Sequence, residues 1–183
     1  MTHPAPVPPF QIRALNADPD TLNQLCTLII QTVANGESVS FMYPLALADA
    51  EAFWAGSLAA AHRDERVVLG AWQEGTLIGT VTLLLDFPPN QPHRAEIAKM
   101  MTRLGHRGKG IATALLREAE RLAGQRGRTL LVLDTATDGG AAGLYEKLGY
   151  TLAGEIPDFA LKPHGGLTGT LLYWKRLGGG KGV

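Results

Sequence analysis

The stretch E-I-A-K-M-M-T-R-L-G-H-R-G-K-G-I-A-T-A-L-L-R-E-A-E-R-L-A-G, Glu96 to Gly124, decides the fold. Its first part, Glu96 to Thr102, reads as a strand in which Ile97, Met100 and Met101 are apolar. A glycine-studded turn follows, Gly105-His106-Arg107-Gly108-Lys109-Gly110. Beyond it, Ile111, Leu115, Leu116, Ala119, Leu122 and Ala123 recur at roughly the three-and-four spacing of one helical face. Strand, glycine turn and helix start together present backbone N–H groups to an anion. The first amides of a helix have no intrahelical partner, and the macrodipole adds partial positive charge there. Gly108 and Gly110 carry no side chains to hold a phosphate off, while Arg107 and Lys109 add formal charge. The segment reads as a pyrophosphate cradle.

Glycine spacing narrows the ligand. A Walker A loop needs lysine where Ile111 stands, and a dinucleotide fingerprint beginning at Gly108 needs glycine or alanine where Thr113 stands. Each pattern fails at a residue that carries its chemistry. A plain glycine turn ahead of an amphipathic helix is the bland alternative. Arg107-Gly108-Lys109-Gly110-Ile111-Ala112, however, fits the R/Q-x-x-G-x-G/A signature with which the GCN5-related N-acetyltransferase (GNAT) family holds the pyrophosphate of acetyl-CoA.

Further segments strengthen that resemblance. Ala141 to Tyr150, A-A-G-L-Y-E-K-L-G-Y, is similar to the family's A-x-x-x-Y-E-K-L-G-F/Y signature. Glu96 stands eleven residues before Arg107, the offset of the general-base glutamate in histone-acetylating members. S-V-S-F-M from Ser38, R-A-E-I-A-K-M-M from Arg94, L-D-T from Leu133 and L-L-Y-W-K-R-L-G from Leu171 resemble segments of the tabtoxin-resistance branch. That likeness runs from about Phe10 to Gly178. One departure is Asp138-Gly139-Gly140, where many members carry an asparagine.

The resemblance implies an assignment of residues. Glu96, Asp134 and Tyr145 are the expected catalytic groups, with Tyr145 protonating the leaving thiolate. Met100, Met101 and Thr102 would hold the pantetheine. Arg107, Gly108, Lys109, Gly110, Ile111, Ala112 and Thr113 would hold the pyrophosphate, with Ala141 and Tyr145 completing the cofactor site. Phe41, Glu96 and Asp134 would meet the acceptor, and no metal is expected. The implied activity is transfer of an acetyl group from acetyl-CoA to a primary amine of a small molecule, a toxin or antibiotic such as tabtoxinine-β-lactam among them. Acetylation of a protein lysine or N-terminus, and a CoA-binding sensor without catalysis, are the alternatives.

The chemistry explains why such residues are needed. An amine must be neutral to attack a thioester, so a carboxylate that takes its proton is useful. Glu96 or Asp134 can do so once desolvation or a neighbouring carboxylate raises its pKa, and the division of labour between them stays open. Plainer roles exist for each. Glu96 could pair with Arg94 or Lys99 at a sheet surface, Asp134 could cap a strand end, and Tyr145 could be packing. Arg107 and Lys109 could form a solvated basic face.

Composition bounds the rest. The 183 residues, 45% of them hydrophobic, suit one domain, expected over 10–177 between a proline-rich tail at 1–9 and a glycine-rich one at 178–183. Seventeen basic residues balance seventeen acidic ones, so no global field draws the chain to nucleic acid or an anionic membrane. Cys26 is the only cysteine, which excludes an internal disulfide, and its apolar surroundings make it a packing residue. The first residues lack a basic and then apolar leader pattern, so a cytoplasmic monomer or homodimer is expected.

In chain order the patterns predict a strand over Phe10–Leu15 and a helix from Asn16 or Asp18 to about Ala34. An apolar loop from Glu37 to Pro44 is either filler or one wall of a pocket. A helix over Ala48–His62, with Phe53, Trp54 and Leu58 inward, precedes a hairpin of Arg66–Trp72 and Thr76–Leu85. Beyond the Glu96–Gly124 unit, Thr129–Thr135 reads as a strand buried on both faces and Gly140–Leu148 as a short helix. Tyr150–Glu155 and Thr168–Arg176 close the chain as strands joined by a Pro/Gly loop over Ile156–Leu167. The fold class is α+β. It is a mixed, mostly antiparallel twisted sheet flanked by helices, with one parallel pair after the crossover helix. The family resemblance implies that this sheet splays between its fourth and fifth strands.

Overall fold

The computed structural model describes residues 9–178. The tails expected at 1–9 and 178–183 therefore lie, apart from Pro9 and Gly178, outside the described residues. The order is β1 (Gln11–Ala14), α1 (Pro19–Ala34), α2 (Leu47–His62), β2 (Arg66–Gln73), β3 (Thr76–Leu84), β4 (Arg94–Thr102), α3 (Ile111–Gln125), β5 (Leu130–Ala136), α4 (Ala142–Lys147), β6 (Thr151–Leu161) and β7 (Leu167–Arg176). This is the β-α-α-β-β-β-α-β-α-β-β order expected from the sequence.

Local chemistry sets the element ends. The Asp18 carboxylate accepts from the Thr21 amide at 2.9 Å and the Thr21 hydroxyl at 2.6 Å, capping α1, and Pro19 occupies its first position. The Thr21 bonds hold the Asp18 carboxyl below the usual aspartate value. Between β2 and β3, Glu74 at φ +49° and Gly75 at φ +78° take the left-handed pair that a two-residue hairpin turn needs.

The seven strands form one sheet in the order β1-β2-β3-β4-β5-β7-β6. Among the described residues, β4 and β5 make its parallel pair, as a crossover through α3 requires, and the other neighbours run antiparallel. Helices cover both faces. Leu25, Cys26, Ile29 and Val33 of α1 and Trp54 and Leu58 of α2 pack with Val68, Leu77 and Met101 on one side. Ile111, Leu115, Leu116, Ala119 and Ala123 of α3 pack with Ile78, Val81, Ile97, Leu131 and Leu133 on the other. Cys26 is fully buried, and burial first, then the Glu51 charge, pushes its thiol pKa up.

Two expectations are corrected. β5 is buried on one face only: Leu131 and Leu133 are covered, Leu130 and Val132 are half-buried, and Asp134 is exposed. The α1–α2 layer rests on β2, β3 and β4, so the second face of β5 stays open. Ile156–Leu161 is not loop but the continuation of β6, which pairs with β7 as far as Leu161↔Leu167. Register shifts between Leu152 and Gly154 and between Ile156 and Ala160 absorb the irregular residues. Pro157 is tolerated because β6 is an edge strand, where a missing N–H removes no ladder bond.

The feature that positions the site is an early end to one ladder. β4 and β5 pair only from Arg94↔Leu130 to Glu96↔Val132, although both strands continue. Past that point β4 carries a bulge, where its register with β3 slips between Thr80 and Thr82 and Lys99 sits at φ +51°. A bulge bends and further twists its strand, and the two strands diverge into a cleft.

The start of α3 is held to the sheet at Gly79. A Cβ built there would stand 2.9 Å from Ile111 Cγ2, 3.1 Å from the Met101 carbonyl oxygen and 3.2 Å from Leu115 Cδ1. Gly79→Ala is therefore expected to lower stability by about 1–3 kcal/mol, the usual cost of overpacking, and urea unfolding midpoints would measure it.

Candidate functional site

The cleft between the diverging strands has a volume of about 410 Å³. Ile97, Ala98, Lys99 and Met100 of β4 form one wall, and Asp134, Thr135 and Ala136 of β5 face them. Ala141, Leu144 and Tyr145 lie at the α4 end, and Glu37–Ser40, Phe159–Lys162 and Thr168–Thr170 close the remaining sides. The loop after α1 is thus both pocket wall and filler. Glu37–Ser40 line the cleft, Val39 from a buried position, while Phe41 packs edge-on against Phe53 at 5.1 Å. Phe41 itself stands outside the lining.

At the other end of β4 the chain enters a 3₁₀ turn, Leu104–His106, and then the glycine turn. Gly108 at φ +72° and Gly110 at φ +78° take left-handed conformations that suit glycine, and open space lies beside both. Gly110 caps α3 without a side chain, and the first amide to find a backbone acceptor is that of Ala114, 3.0 Å from the Gly110 carbonyl. The amides of Ile111, Ala112 and Thr113 are left free of backbone partners among the described residues. Arg107 donates to the Thr102 carbonyl at 3.3 Å and pairs with Glu37, and Lys109 donates to the Gly105 carbonyl at 3.1 Å. An anionic diphosphate fits this loop: it offers free amides, no obstructing Cβ and two cations at its rim.

The predicted catalytic residues do not form one cluster. Tyr145 is only 5% exposed, and its ring packs against Tyr150 and Tyr173 at centroid distances of 5.9 and 6.0 Å. It lines the cleft, and its hydroxyl makes no hydrogen bond among the described residues. Burial, then the charge of Asp134, push its pKa up to about 12. The hydroxyl is accordingly a proton donor at neutral pH. Asp134 lines the cleft too, and its Oδ2 accepts from the Thr170 hydroxyl at 2.9 Å. Glu96 shares the same sheet face by strand alternation, since it pairs with Val132 two residues before Asp134. It is bound instead by Arg94 Nη1 at 3.2 Å and does not line the cleft. Arg94 in turn donates to Gln91 at 2.7 Å and lies over the Phe87 ring at 3.8 Å.

Other predicted residues fall as follows. Met100 and Ala141 line the cleft, whereas Met101 and Ile111 turn into the two cores. β4 has no strand partner on its β5 side from Ile97 to Thr102, which leaves backbone groups there available. Ser40 belongs to the loop expected as either filler or pocket wall, whereas Lys99, Thr170 and the Phe159–Lys162 segment have no place in the expected site. The bulge that turns Lys99 into the cleft and the hairpin that brings Thr170 to Asp134 have no local sequence signature. Among the described residues no helix is long and apolar enough to cross a membrane, and no three His, Cys, Asp or Glu side chains gather as metal ligands.

Comparison with known proteins gives a consistent picture. The model of the acetyltransferase (GNAT) family matches residues 31–150. Human N-acetyltransferase 8B is 36% identical over 87 residues, which make up 46% of this chain and 38% of that protein. The chain therefore spans well under half the length of this curated relative. Among solved structures, an N-acetyltransferase from Staphylococcus aureus Mu50 superposes with a TM-score of 0.77 at 21% identity, over 92% of this chain and 98% of that one. The yncA protein of Salmonella typhimurium, solved with its cofactor acetyl-CoA, gives 0.78 at 16% identity, over 95% and 97%. At those identities the likeness is one of fold.

The raised Tyr145 pKa carries a stability signature. Below pH 10 the phenol is neutral in both folded and unfolded chains. Between about 10 and the folded value of about 12, the unfolded chain releases the proton while the folded chain retains it, so stability falls as pH rises. Urea midpoints measured across that window should decline less steeply in Tyr145→Phe than in the wild type.

Proposed function

Because the chain belongs to the acetyltransferase (GNAT) family, we propose that it transfers the acetyl group of acetyl-CoA to a primary amine of a small molecule. One observation carries this reading. The glycine turn with free amides at Ile111–Thr113, which a diphosphate would fit, follows β4, and Ile97–Met100 of that strand line a cleft that holds a carboxylate free of any salt bridge, Asp134, and a protonated phenol, Tyr145. Bound acetyl-CoA supplies an activated thioester, an electrophilic acetyl carbon with a thiolate leaving group.

The chain's own residues have distinct tasks. Free amides of Ile111, Ala112 and Thr113, with Arg107 and Lys109, would hold the diphosphate, and the unpaired edge of β4 at Met100–Thr102 would hold the pantetheine. Ala141 lines the cleft beside it. Thr170 occupies Oδ2 of Asp134 and leaves Oδ1 to take the proton of the incoming ammonium. Glu96, held by Arg94, would reach that proton only through water. Tyr145 would give up its hydroxyl proton to the departing sulfur, a role that suits a phenol whose pKa lies near 12.

The closure of the cleft favours a small acceptor over a polypeptide. The Tyr43 amide donates to the Pro163 carbonyl at 2.9 Å, His164 Nε2 bonds the Ala34 carbonyl at 2.9 Å, and the Tyr43 and His164 rings lie 4.5 Å apart. These contacts bridge the α1–α2 loop to the β6–β7 turn. A toxin or antibiotic acceptor of the tabtoxinine-β-lactam kind follows from the resemblance to the tabtoxin-resistance branch.

Free-thiol release from acetyl-CoA against amino acids, polyamines, aminoglycosides, peptides and tabtoxinine-β-lactam tests the proposal. Turnover on one acceptor class is expected, with kcat reduced about 10²–10⁴-fold in Asp134→Asn and about 10–10³-fold in Tyr145→Phe. Glu96→Gln should cost less than Asp134→Asn. Tight CoA binding with no release on any amine would overturn the transferase reading in favour of a CoA-binding module.

A further inference from the structure

The charges lining the cleft are mostly committed. Glu37 is paired with Arg107, and Asp138 is held by Lys162 at 3.2 Å and by the Thr168 hydroxyl at 2.8 Å. Two charges remain. Asp134 has only the Thr170 hydroxyl, and Lys99 has only the Ser40 hydroxyl at 2.9 Å, with the Phe53 ring 5.7 Å from its ammonium. Among the described residues no carboxylate lies within 4.0 Å of the Lys99 nitrogen, Asp134 included. The cleft therefore presents an anion and a cation that form no salt bridge with one another or with any other charge among the described residues.

Lys99 reaches this place through an unfavourable backbone. It is the left-handed residue of the β4 bulge, at φ +51°, a conformation glycine takes without steric cost and lysine does not. Bulges re-aim a side chain out of strand alternation, and this one turns the ammonium into the cleft beside Ser40. Burial lowers the pKa of that ammonium, while the charges of Asp134 and Glu96 oppose the shift. A half-buried ammonium whose direct contacts are one neutral hydroxyl and a ring is under-solvated, and a ligand anion would restore what water supplied. Phosphates of the co-substrate belong on the Gly108–Thr113 loop, which lies beyond the C-terminal end of β4 and contributes no residue to the cleft lining. The anion that suits Lys99 is therefore one on the acceptor.

We propose that the acceptor is a zwitterionic, amino-acid-like small molecule: Lys99 binds its carboxylate while its amine faces Asp134. This rests on the acyltransfer reading above and names the substrate class of the same cleft. Lys99 is then the specificity-determining residue, and Ser40 positions its ammonium.

The test uses the full chain saturated with CoA species and two readouts. Thiol release from acetyl-CoA is measured with glutamate, methionine, lysine and β-alanine, each beside its carboxamide and its decarboxylated amine. Calorimetric binding of the corresponding N-acetyl amino acids and N-acetyl amides to the CoA-loaded protein is measured in parallel. A carboxylate acceptor should exceed its counterparts without the carboxylate by about 10–100-fold in kcat/KM, the range of a charge-assisted hydrogen bond. Lys99→Met should erase that preference through KM with kcat nearly unchanged, and Lys99→Arg should keep most of it. Unaltered CoA affinity in both variants would show that the fold is intact. Equal turnover of acids, amides and amines, or a preference that survives Lys99→Met, would overturn the inference and leave the transferase standing. Lys99-dependent binding of the carboxylates without turnover of any amine would sink the transferase reading while upholding Lys99 as the carboxylate-binding residue of the cleft. Neither binding nor turnover of any carboxylate would overturn it outright.

Discussion

Everything at the candidate site depends on a ladder that stops. The parallel pairing of β4 and β5 ends at Glu96↔Val132 while both strands run on, so the middle of the sheet opens. Open sheet edges inside a protein are costly unless their polar groups find partners. Here the unpaired edge of β4 runs beside the cleft, and the free amides of α3 follow it in the chain. The structure concentrates unspent hydrogen-bonding capacity there and satisfies it elsewhere: β7 holds β5, β3 holds β4, and two helical layers bury the faces.

The same layers explain the geometry of the cradle. α3 is anchored by close packing at Gly79, so the free amides of its first turn are held at a set distance from the end of β4. Left-handed Gly110 ends the turn and starts the helix without any capping side chain. A serine or aspartate cap would satisfy one of those amides internally. Its absence keeps them for a ligand. The Arg107–Glu37 pair then ties the cradle to the α1–α2 loop, which also walls the cleft. Both partners are partly exposed, so the pair orients more than it stabilises.

Burial divides the three titratable side chains Tyr145, Asp134 and Glu96. Tyr145 lines the cleft and lies among Tyr150 and Tyr173, and its burial keeps the phenol neutral. Asp134 stands exposed on the uncovered face of β5 and remains free of any cation among the described residues. Glu96 shares the face but is neutralised by Arg94. The residues nearest in sequence motif are thus separated by what covers each strand, and a bulge supplies Lys99 as the cleft's unpaired cation.

By itself, the sequence determined the element order, the mixed sheet with its parallel pair, and the glycine turn with its unpaired helix-start amides. Each of these is a local property: periodicity along α3, turn chemistry at Glu74-Gly75 and at Gly108–Gly110, and amides freed by a helix start. Only the tertiary structure decided that Leu130 and Val132 are half-covered, because burial of β5 depends on where α1 and α2 rest. It also decided that β6 continues through Pro157, because an edge strand loses no ladder bond there. The composition of the cleft was decided in the same way. Asp134 meets Thr170, and Lys99 meets Ser40 59 positions away, through strand pairing and a bulge. No window of sequence contains both partners of either contact within one element, and a bulge has no residue signature of its own.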